Sequence, residues 1–168
     1  MEPHVTCSQL AVDGGAHRGI FTRLLGPHFG RIVAFEPHRP HAAICAELPG
    51  VEVHALALGS VAGTMALEPG AETDGQWHLA EGRGVVVVPL DLLDLEGVGL
   101  LKLDVEGYEL PALKGAERTI ESYRPVVVIE ENGLCRRYGV EEGEAGRWLR
   151  DRGYRRVRRL NKDEVWVP

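Results

Sequence analysis

The sequence predicts a single α/β domain over residues 1–168, with a mostly parallel sheet covered by helices on both faces. Apolar runs of strand length recur along the chain and alternate with segments of helical spacing, which is the pattern of a parallel sheet. The predicted strands are continuously apolar, as expected for strands that are buried on both faces. The last two strands, 154–160 and 164–167, are joined by a short polar turn and predict an antiparallel hairpin at one edge.

The predicted elements follow one another in a regular order. Glycine and proline mark the ends of the first two helices, at Gly26-Pro27 and Pro49-Gly50. Residues 59–84 are rich in Gly, Glu and Thr, and predict an inserted hairpin with a variable loop. Strands are expected at 10–13, 31–35, 51–58, 85–89, 99–103 and 125–129, and helices at 20–25, 40–48, 110–123 and 141–152.

Composition and charge narrow the classes of function. The net charge of −6 argues against general binding of nucleic acid. No apolar run approaches the ~20 residues that span a bilayer, and the N-terminus lacks the layout of a signal peptide. The three cysteines, Cys7, Cys45 and Cys135, form no CxxC pair and predict free thiols in a reducing compartment. We therefore expect a cytoplasmic protein with neither a nucleic-acid nor a membrane partner.

Acidic residues stand at the carboxyl ends of four predicted strands, at Asp13, Glu36, Asp104 and Glu130. In doubly wound sheets, ligands bind outside the carboxyl ends of the strands. A carboxylate at the exit of a buried strand is costly unless something there uses its charge. The pattern predicts a site for a cation-like ligand at this edge of the sheet.

The first turn, residues 13–19, reads DGGAHRG and favours a close approach of backbone to ligand. Asp13 would repel a pyrophosphate, yet it suits the sulfonium side of S-adenosylmethionine. Glu36 could accept both ribose hydroxyls of either NAD or S-adenosylmethionine, so it does not separate them, whereas Asp13 together with Asp104 does. Three residues nevertheless satisfy the loose dinucleotide fingerprint G-x-A-x-x-G: Gly14, Ala16 and Gly19.

Taken in order, six blocks of the sequence resemble the FkbM-type methyltransferases. They read VDGGAHRG, AFEPHRP, ALALGSVAGTMAL, VPLDLL, LKLDVEGYELPALKGAERTI and RPVVVIEENG. The resemblance covers about residues 10 to 135, and LKLDVEGYELPALKGA is its most specific part. It implies a Rossmann-like class I methyltransferase fold with seven strands in the order 3-2-1-4-5-7-6 and an inserted β-hairpin. It also implies an S-adenosylmethionine-dependent enzyme that usually methylates oxygen.

The resemblance implies which residues form the site. Asp104 and Glu106 would face the transferred methyl group. Because an oxygen nucleophile must lose its proton during in-line displacement, Asp104 is the first candidate for the base or substrate anchor. The alternative for Glu106 is an acid that stabilises the N-terminus of the following helix. The cofactor would be bound by residues of the first turn and the next strand ends: Asp13, Gly14, Gly15, Ala16, Gly19, Glu36, Pro37, Ala55, Leu56 and Asp104.

Five further residues are candidates for contact with the methyl acceptor: His17, Trp77, Tyr108, Glu130 and Glu131. Adjacent residues of a strand point to opposite faces, so at most one of Glu130 and Glu131 faces the site. The alternatives are a solvated loop for His17, packing of the hairpin onto the sheet for Trp77, and packing under a helix for Tyr108.

No metal site is predicted. His38 and His41 have a spacing that hints at metal binding, but no third and fourth ligands are legible beside them. Glu130 and Glu131 could contact a divalent cation such as Mg²⁺, but no ligand set is recognisable there either. A divalent cation is therefore an alternative that we do not favour.

Two residues differ from the family pattern: Gly14, where an apolar residue is usual, and His17, where Asn is usual. The chain also begins almost at its first strand, so we expect the N-terminal helices that often cover the cofactor to be absent. The absence of these helices also favours contact with a partner protein or a homodimer. The leading hypothesis is methylation of a small-molecule hydroxyl, on a sugar or natural product, with help from a carboxylate. The alternatives are a non-catalytic S-adenosylmethionine-binding module that acts with a partner protein, and an NAD-binding oxidoreductase.

Overall fold

The computed structural model describes residues 9–70 and 77–168. The helices are α1 (Ile20–Leu25), α2 (Arg39–Cys45), α3 (Glu109–Lys114), α4 (Glu117–Tyr123) and α5 (Glu144–Asp151), and 3₁₀ turns cover Leu90–Leu93 and Leu134–Tyr138. The strands are β1 (Leu10–Gly14), β2 (Arg31–Phe35), β3 (Val51–His54), β4 (Ala57–Leu58), β5 (Gly63–Pro69), β6 (Trp77–Val88), β7 (Val98–Leu103), β8 (Val126–Glu130), β9 (Arg155–Leu160) and β10 (Asp163–Val167).

Seven of these strands form one mostly parallel, mixed sheet in the order β3-β2-β1-β7-β8-β10-β9. Strands β1, β2, β3, β7 and β8 are parallel, and β10 pairs antiparallel with β8 and β9. Numbered along the whole chain, this order differs from the expected one because three other strands lie between β3 and β7. The seven strands counted alone follow 3-2-1-4-5-7-6.

The three remaining strands form a second sheet in the order β4-β6-β5. Its β5–β6 pair is the expected hairpin, but β6 continues to Val88, so the separate strand expected at 85–89 is the end of β6. The single strand expected at 51–58 is also two strands. Residues Ala55 and Leu56 leave the large sheet, and β4 then pairs in parallel with β6. Residues 71–76 of the variable loop lie outside the described residues.

The helix expected at 110–123 is broken into α3 and α4. A Cβ on Gly115 would lie 1.9 Å from the carbonyl oxygen of Gly59, so only glycine fits there. The next residue, Ala116, has φ −113° and ψ 14° and leaves the helical conformation. Asp91 supplies the new helix start, because its carboxylate accepts the backbone N–H groups of Arg118 and Thr119 at 2.8 and 2.9 Å. The cap was invisible in the sequence because it comes from another element.

Helices cover both faces of the large sheet. Leu25 of α1 packs on one face against Ala11, and the opposite face holds Val12 together with Leu113 of α3 and Leu149 of α5. Neighbouring residues of β1 thus enter different cores, which explains why the central strands are apolar throughout. Cys45 and Cys135 are buried free thiols, and Cys7 lies outside the described residues. None of the helices in the described ranges has the length and apolar character that crossing a membrane requires.

Candidate functional site

A cavity of about 390 Å³ lies at the carboxyl ends of β1, β2 and β7. The second sheet contributes Leu67, Trp77 and Leu79 to its wall. Several residues that the sequence singled out line it: Gly15, Ala16, His17, Glu36, Pro37, Leu56, Trp77, Asp104 and Glu106. Others do not: Asp13, Gly14, Gly19, Ala55, Tyr108, Glu130 and Glu131.

Glu36 follows β2 directly, and its side chain is held by the backbone around it. One carboxylate oxygen accepts the N–H of His17 at 2.7 Å, and the other accepts the N–H of His38 at 2.8 Å. Burial raises the pKa of Glu36, and the two backbone donors offset part of that increase. Because a carboxylate offers about four acceptor positions, both oxygens remain able to accept a ligand hydroxyl.

The first turn brings backbone against the cavity. Gly15 has a φ of 78°, and a Cβ there would lie 1.8 Å from the carbonyl oxygen of Asp104, so only glycine fits. The N–H groups of Gly15 and Ala16 both donate to the carbonyl of Phe35, at 2.9 and 3.1 Å. Gly14 and Gly19 instead allow close packing, because a Cβ on either would meet a leucine side chain within 3 Å.

Asp13 lies behind the cavity wall, contrary to the expectation that it lines the methionine side. It is fully buried, with one carboxylate oxygen 3.1 Å from Lys102 Nζ and the other accepting the hydroxyl of Thr22 at 2.6 Å. From the sequence, this carboxylate was expected to contact the ligand directly. In the fold, both of its oxygens contact protein groups.

Lys102 lines the cavity, and the sequence reasoning missed it. Its Nζ donates to the carbonyl of Gly15 at 3.3 Å and lies 3.1 Å from the carboxylate of Asp13 and 3.6 Å from that of Asp104. Burial alone would lower the pKa of Lys102, but attraction to Asp13 and then to Asp104 outweighs burial and raises it. The signal available in the sequence was one cation inside the otherwise apolar run 98–103.

Carboxylates gather at the end of the cavity beside β7. Asp104 and Glu106 line it, and the pKa of Glu106 is raised by burial and then by the charge of Asp104. Glu130, at the end of β8, lies near both residues without lining the cavity. Burial, followed by the charges of Asp104 and Glu106, raises the pKa of Glu130 to about 8.

Glu109, a second residue that the sequence reasoning missed, fixes the loop between β7 and α3. It is buried, and one carboxylate oxygen accepts the N–H groups of Val105 and Gly107 at 3.1 and 3.2 Å. Burial, partly offset by these hydrogen bonds, raises the pKa of Glu109 to about 7. Because α3 begins at Glu109, this residue, rather than Glu106, is the acid of the first helical turn.

The other candidate contacts divide between the cavity and the packing around it. Trp77 lines the cavity and stacks on His38, with 4.3 Å between ring centroids. Tyr108 packs edge-on against Tyr138 of the second 3₁₀ turn, with 4.8 Å between ring centroids. Glu131 turns away from the cavity and accepts the N–H of Gly143, the residue before α5, at 2.8 Å.

The histidines beside Glu36 pack against one another. The rings of His17 and His41 are 4.1 Å apart, and those of His38 and His41 are 4.2 Å apart, each pair edge to face. Across residues 9–70 and 77–168, no three His, Cys, Asp or Glu side chains form a group that could hold a metal ion.

Several solved structures share this architecture. A methyltransferase FkbM from Methylobacillus flagellatus KT superimposes with a TM-score of 0.71 at 20% identity, over 99% of this chain. This chain spans only 45% of the length of that protein.

Two more distant structures show the same fold. A precorrin 8w decarboxylase from Methanobacterium thermoautotrophicum gives a TM-score of 0.58 at 14% identity, over 97% of this chain and 83% of its own. The N-methyltransferase NodS from Bradyrhizobium japonicum WM9, in complex with S-adenosyl-L-homocysteine, gives a TM-score of 0.53 at 14% identity. That superposition covers 96% of this chain and 76% of NodS. A comparison with curated proteins finds no match.

The sequence comparison addresses the family directly. The model of the methyltransferase FkbM domain matches residues 13–156, which include the first turn, both strand-end acids of the cavity and the loop that Glu109 fixes. The chain therefore belongs to the methyltransferase FkbM domain family.

Proposed function

We propose that the chain binds S-adenosylmethionine in this cavity and transfers its methyl group to the oxygen of a small-molecule hydroxyl, on a sugar or natural product. The observation that carries the proposal is the charge arrangement of one cavity. Glu36 lies at the end of β2, and Asp104 and Glu106 lie at the end of β7. The first position suits a ribose, and the second suits a sulfonium cation.

The residues present fit this cofactor. Glu36 offers carboxylate acceptors for the ribose, and Pro37 and Leu56 line an apolar wall suited to the adenine. A Cβ on Gly15 would reach the carbonyl of Asp104. Glycine at this position therefore lets the first turn pass close to Asp104, beside the space where the methionine part would lie. Asp104 rather than Asp13 is then the carboxylate that favours a sulfonium cofactor over NAD.

The chemistry follows from the positions of the side chains. Bound S-adenosylmethionine supplies an electrophilic methyl group on a positively charged sulfur. Asp104 lies at the cavity wall, where its carboxylate can orient the acceptor hydroxyl and accept its proton. Glu130 lies near Asp104, and its pKa of about 8 means that it already holds a proton at neutral pH, so Glu130 is not itself the base. Alignment of the hydroxyl with the methyl group supplies much of the remaining rate increase.

The same charges limit the acceptor and the partners. The carboxylates of Asp104 and Glu106 at the cavity wall would repel a phosphate backbone, which supports a small molecule rather than nucleic acid. We expect this activity in the cytoplasm, where buried thiols such as Cys45 and Cys135 stay reduced.

A homodimer or a partner protein could complete the acceptor side of the cavity. The divalent-cation hypothesis has no support from the donor groups in the described residues.

Calorimetric titration of the purified chain tests cofactor binding. We expect S-adenosylmethionine and S-adenosylhomocysteine to bind, and NADH not to bind. Methyl transfer is then followed with radiolabelled S-adenosylmethionine and a panel of sugars and hydroxylated natural products. Asp104→Asn should retain binding of S-adenosylhomocysteine and lose roughly 10²-fold or more of the transfer rate. Asp151→Asn, at an exposed position of α5, is the matched control.

Each alternative hypothesis gives a different result. A chain that binds NADH in preference to both adenosyl ligands would be an oxidoreductase candidate. Binding of the adenosyl ligands with no transfer to any acceptor, alone or with added host extract, would favour the non-catalytic module. Absence of adenosyl binding under all conditions would end the proposal.

A further inference from the structure

The cavity wall contains a buried cation where a cationic ligand is proposed to bind. Lys102 is 6% exposed and contacts two carboxylates, Asp13 at 3.1 Å and Asp104 at 3.6 Å. Asp13 is fully enclosed by protein, whereas the side chain of Asp104 is 38% exposed and lines the cavity. When all three groups are ionised, this triad carries one net negative charge.

The geometry decides where that charge lies. Lys102 is closest to Asp13, which has no route to solvent and lies opposite Lys102 in the register of β1 and β7. The ammonium group also donates a hydrogen bond to the carbonyl of Gly15, at 3.3 Å, so three oxygens surround it, and that of Asp13 is the nearest. A fixed ammonium neutralises the hidden carboxylate and leaves the exposed one to face the cavity.

We propose that Lys102 is a positioning residue: it neutralises the buried Asp13 and places the single net negative charge of the triad on Asp104, where the sulfonium meets it. This inference rests on the proposed binding of S-adenosylmethionine. It assigns Asp13 an indirect role, through Lys102, instead of the direct ligand contact expected from the sequence. It also explains how a lysine can line a site for a cation, because the two carboxylates together outweigh its charge.

The pair of cofactor forms gives a readout that needs no methyl acceptor. S-adenosylmethionine carries the sulfonium charge, and S-adenosylhomocysteine has a neutral sulfur in its place. The Kd for S-adenosylhomocysteine divided by the Kd for S-adenosylmethionine therefore reports how strongly the site prefers the charged sulfur. This quotient is the Kd ratio. If the role of Lys102 were purely structural, its removal would weaken the binding of both ligands equally and leave the Kd ratio unchanged.

Four proteins form the test: wild type, Lys102→Met, Asp13→Asn and the variant with both changes. Removing Lys102 alone makes the triad more negative, and we expect the Kd ratio to rise by about tenfold or more. Removing the charge of Asp13 alone makes the triad neutral, and the ratio should fall. The double variant keeps one negative charge on Asp104, so its ratio should lie within about threefold of wild type.

Folding is checked by circular dichroism, since Lys102→Met leaves Asp13 without its cation. If that variant does not fold, the step from Asp13→Asn to the double variant still isolates Lys102. The asparagine can keep the hydrogen bond from Thr22, and the ratio should rise by about tenfold on that step. Lys114→Met removes the same charge from an exposed position of α3 and should leave the ratio unchanged.

The inference would be overturned if the ratio did not rise from wild type to Lys102→Met or, where that variant does not fold, from Asp13→Asn to the double variant. A ratio that shifted equally in Lys114→Met would also overturn it, because the effect would then be one of overall charge. Failure of the proposed function looks different, since the wild-type protein would bind neither ligand.

Discussion

Individual glycines in this chain serve different purposes although their backbone angles are alike. Gly15 and Gly50 have φ values of 78° and 74°, a region that side chains rarely adopt. A Cβ on Gly15 would collide with the carbonyl of Asp104, whereas nothing lies within 4 Å of the same position on Gly50. Only Gly15 is therefore required by a close contact between two strand ends.

Substituting alanine for Gly15 and for Gly50 separates the energetic cost of a left-handed backbone from that of a steric clash. Gly50→Ala should lower the free energy of unfolding by about 1–2 kcal/mol, the cost of a left-handed conformation. Gly15→Ala adds overpacking to that cost and should lower it by about 3 kcal/mol or more, with weaker binding of S-adenosylhomocysteine. Urea denaturation of both variants provides the comparison. Equal losses would mean that the backbone at Gly15 relaxes freely.

Among the elements, the second sheet is held over the cavity by two contacts at the start of β6. Trp77 of β6 stacks on His38 after β2, and two residues further along the carbonyl of Leu79 accepts the hydroxyl of Tyr138 at 2.9 Å. Leu79 and Leu67 also line the cavity. Burial raises the pKa of Tyr138 to about 12, so its hydroxyl stays a donor at neutral pH.

Because Trp77 lines the cavity, its fluorescence is a probe of ligand binding. We expect S-adenosylhomocysteine to change the intrinsic emission of wild type, and the change to be lost in Trp77→Phe. Trp148→Phe is the control, because Trp148 stacks on Arg152 outside the cavity. Trp77→Ala should weaken binding by about tenfold, as expected for loss of an aromatic wall. The expectation fails if the emission change follows Trp148 instead.

At the scale of the whole molecule, buried acids at one end of the sheet make stability depend on pH. Burial raises the pKa values of Glu36, Glu106, Glu109, Glu130 and Glu131. Each of these groups binds its proton more tightly in the folded chain than in the unfolded chain. Stability therefore falls as pH rises through the interval between the unfolded and folded pKa values.

Glu109 gives this effect a defined window. Its pKa rises from 4.5 to about 7, so its contribution is lost between these values and is constant above them. We expect wild type to lose about 3 kcal/mol more than Glu109→Gln between pH 4.5 and pH 8, by urea denaturation. The glutamine oxygen can still accept the N–H groups of Val105 and Gly107.

The control for this prediction is Glu121→Gln, at an exposed position of α4, whose pH dependence should match that of wild type. Parallel pH curves for wild type and Glu109→Gln would mean that Glu109 titrates alike in the folded and unfolded chains.

Short-range patterns in the sequence predicted the family and several of the residues that line the cavity. The run RIVAF predicted β2 with its observed bounds, and Glu36 and Asp104 were recognised because each ends an apolar strand. Both line the cavity, since parallel strands bring their carboxyl ends to one edge. The cap that Asp91 supplies to α4 and the second pairing of β6 were missed, because each depends on a segment distant in the chain.

The sequence by itself determined membership of the methyltransferase FkbM domain family, the α/β class and the strand-end acids, because these depend on residue type and local spacing. Only the tertiary structure decided what the acids contact. The register of β1 and β7 sets Asp13 opposite Lys102, and that pairing buries one carboxylate and leaves Asp104 at the cavity. Strand pairing joins residues far apart in the chain, and no local pattern records which charge will neutralise which.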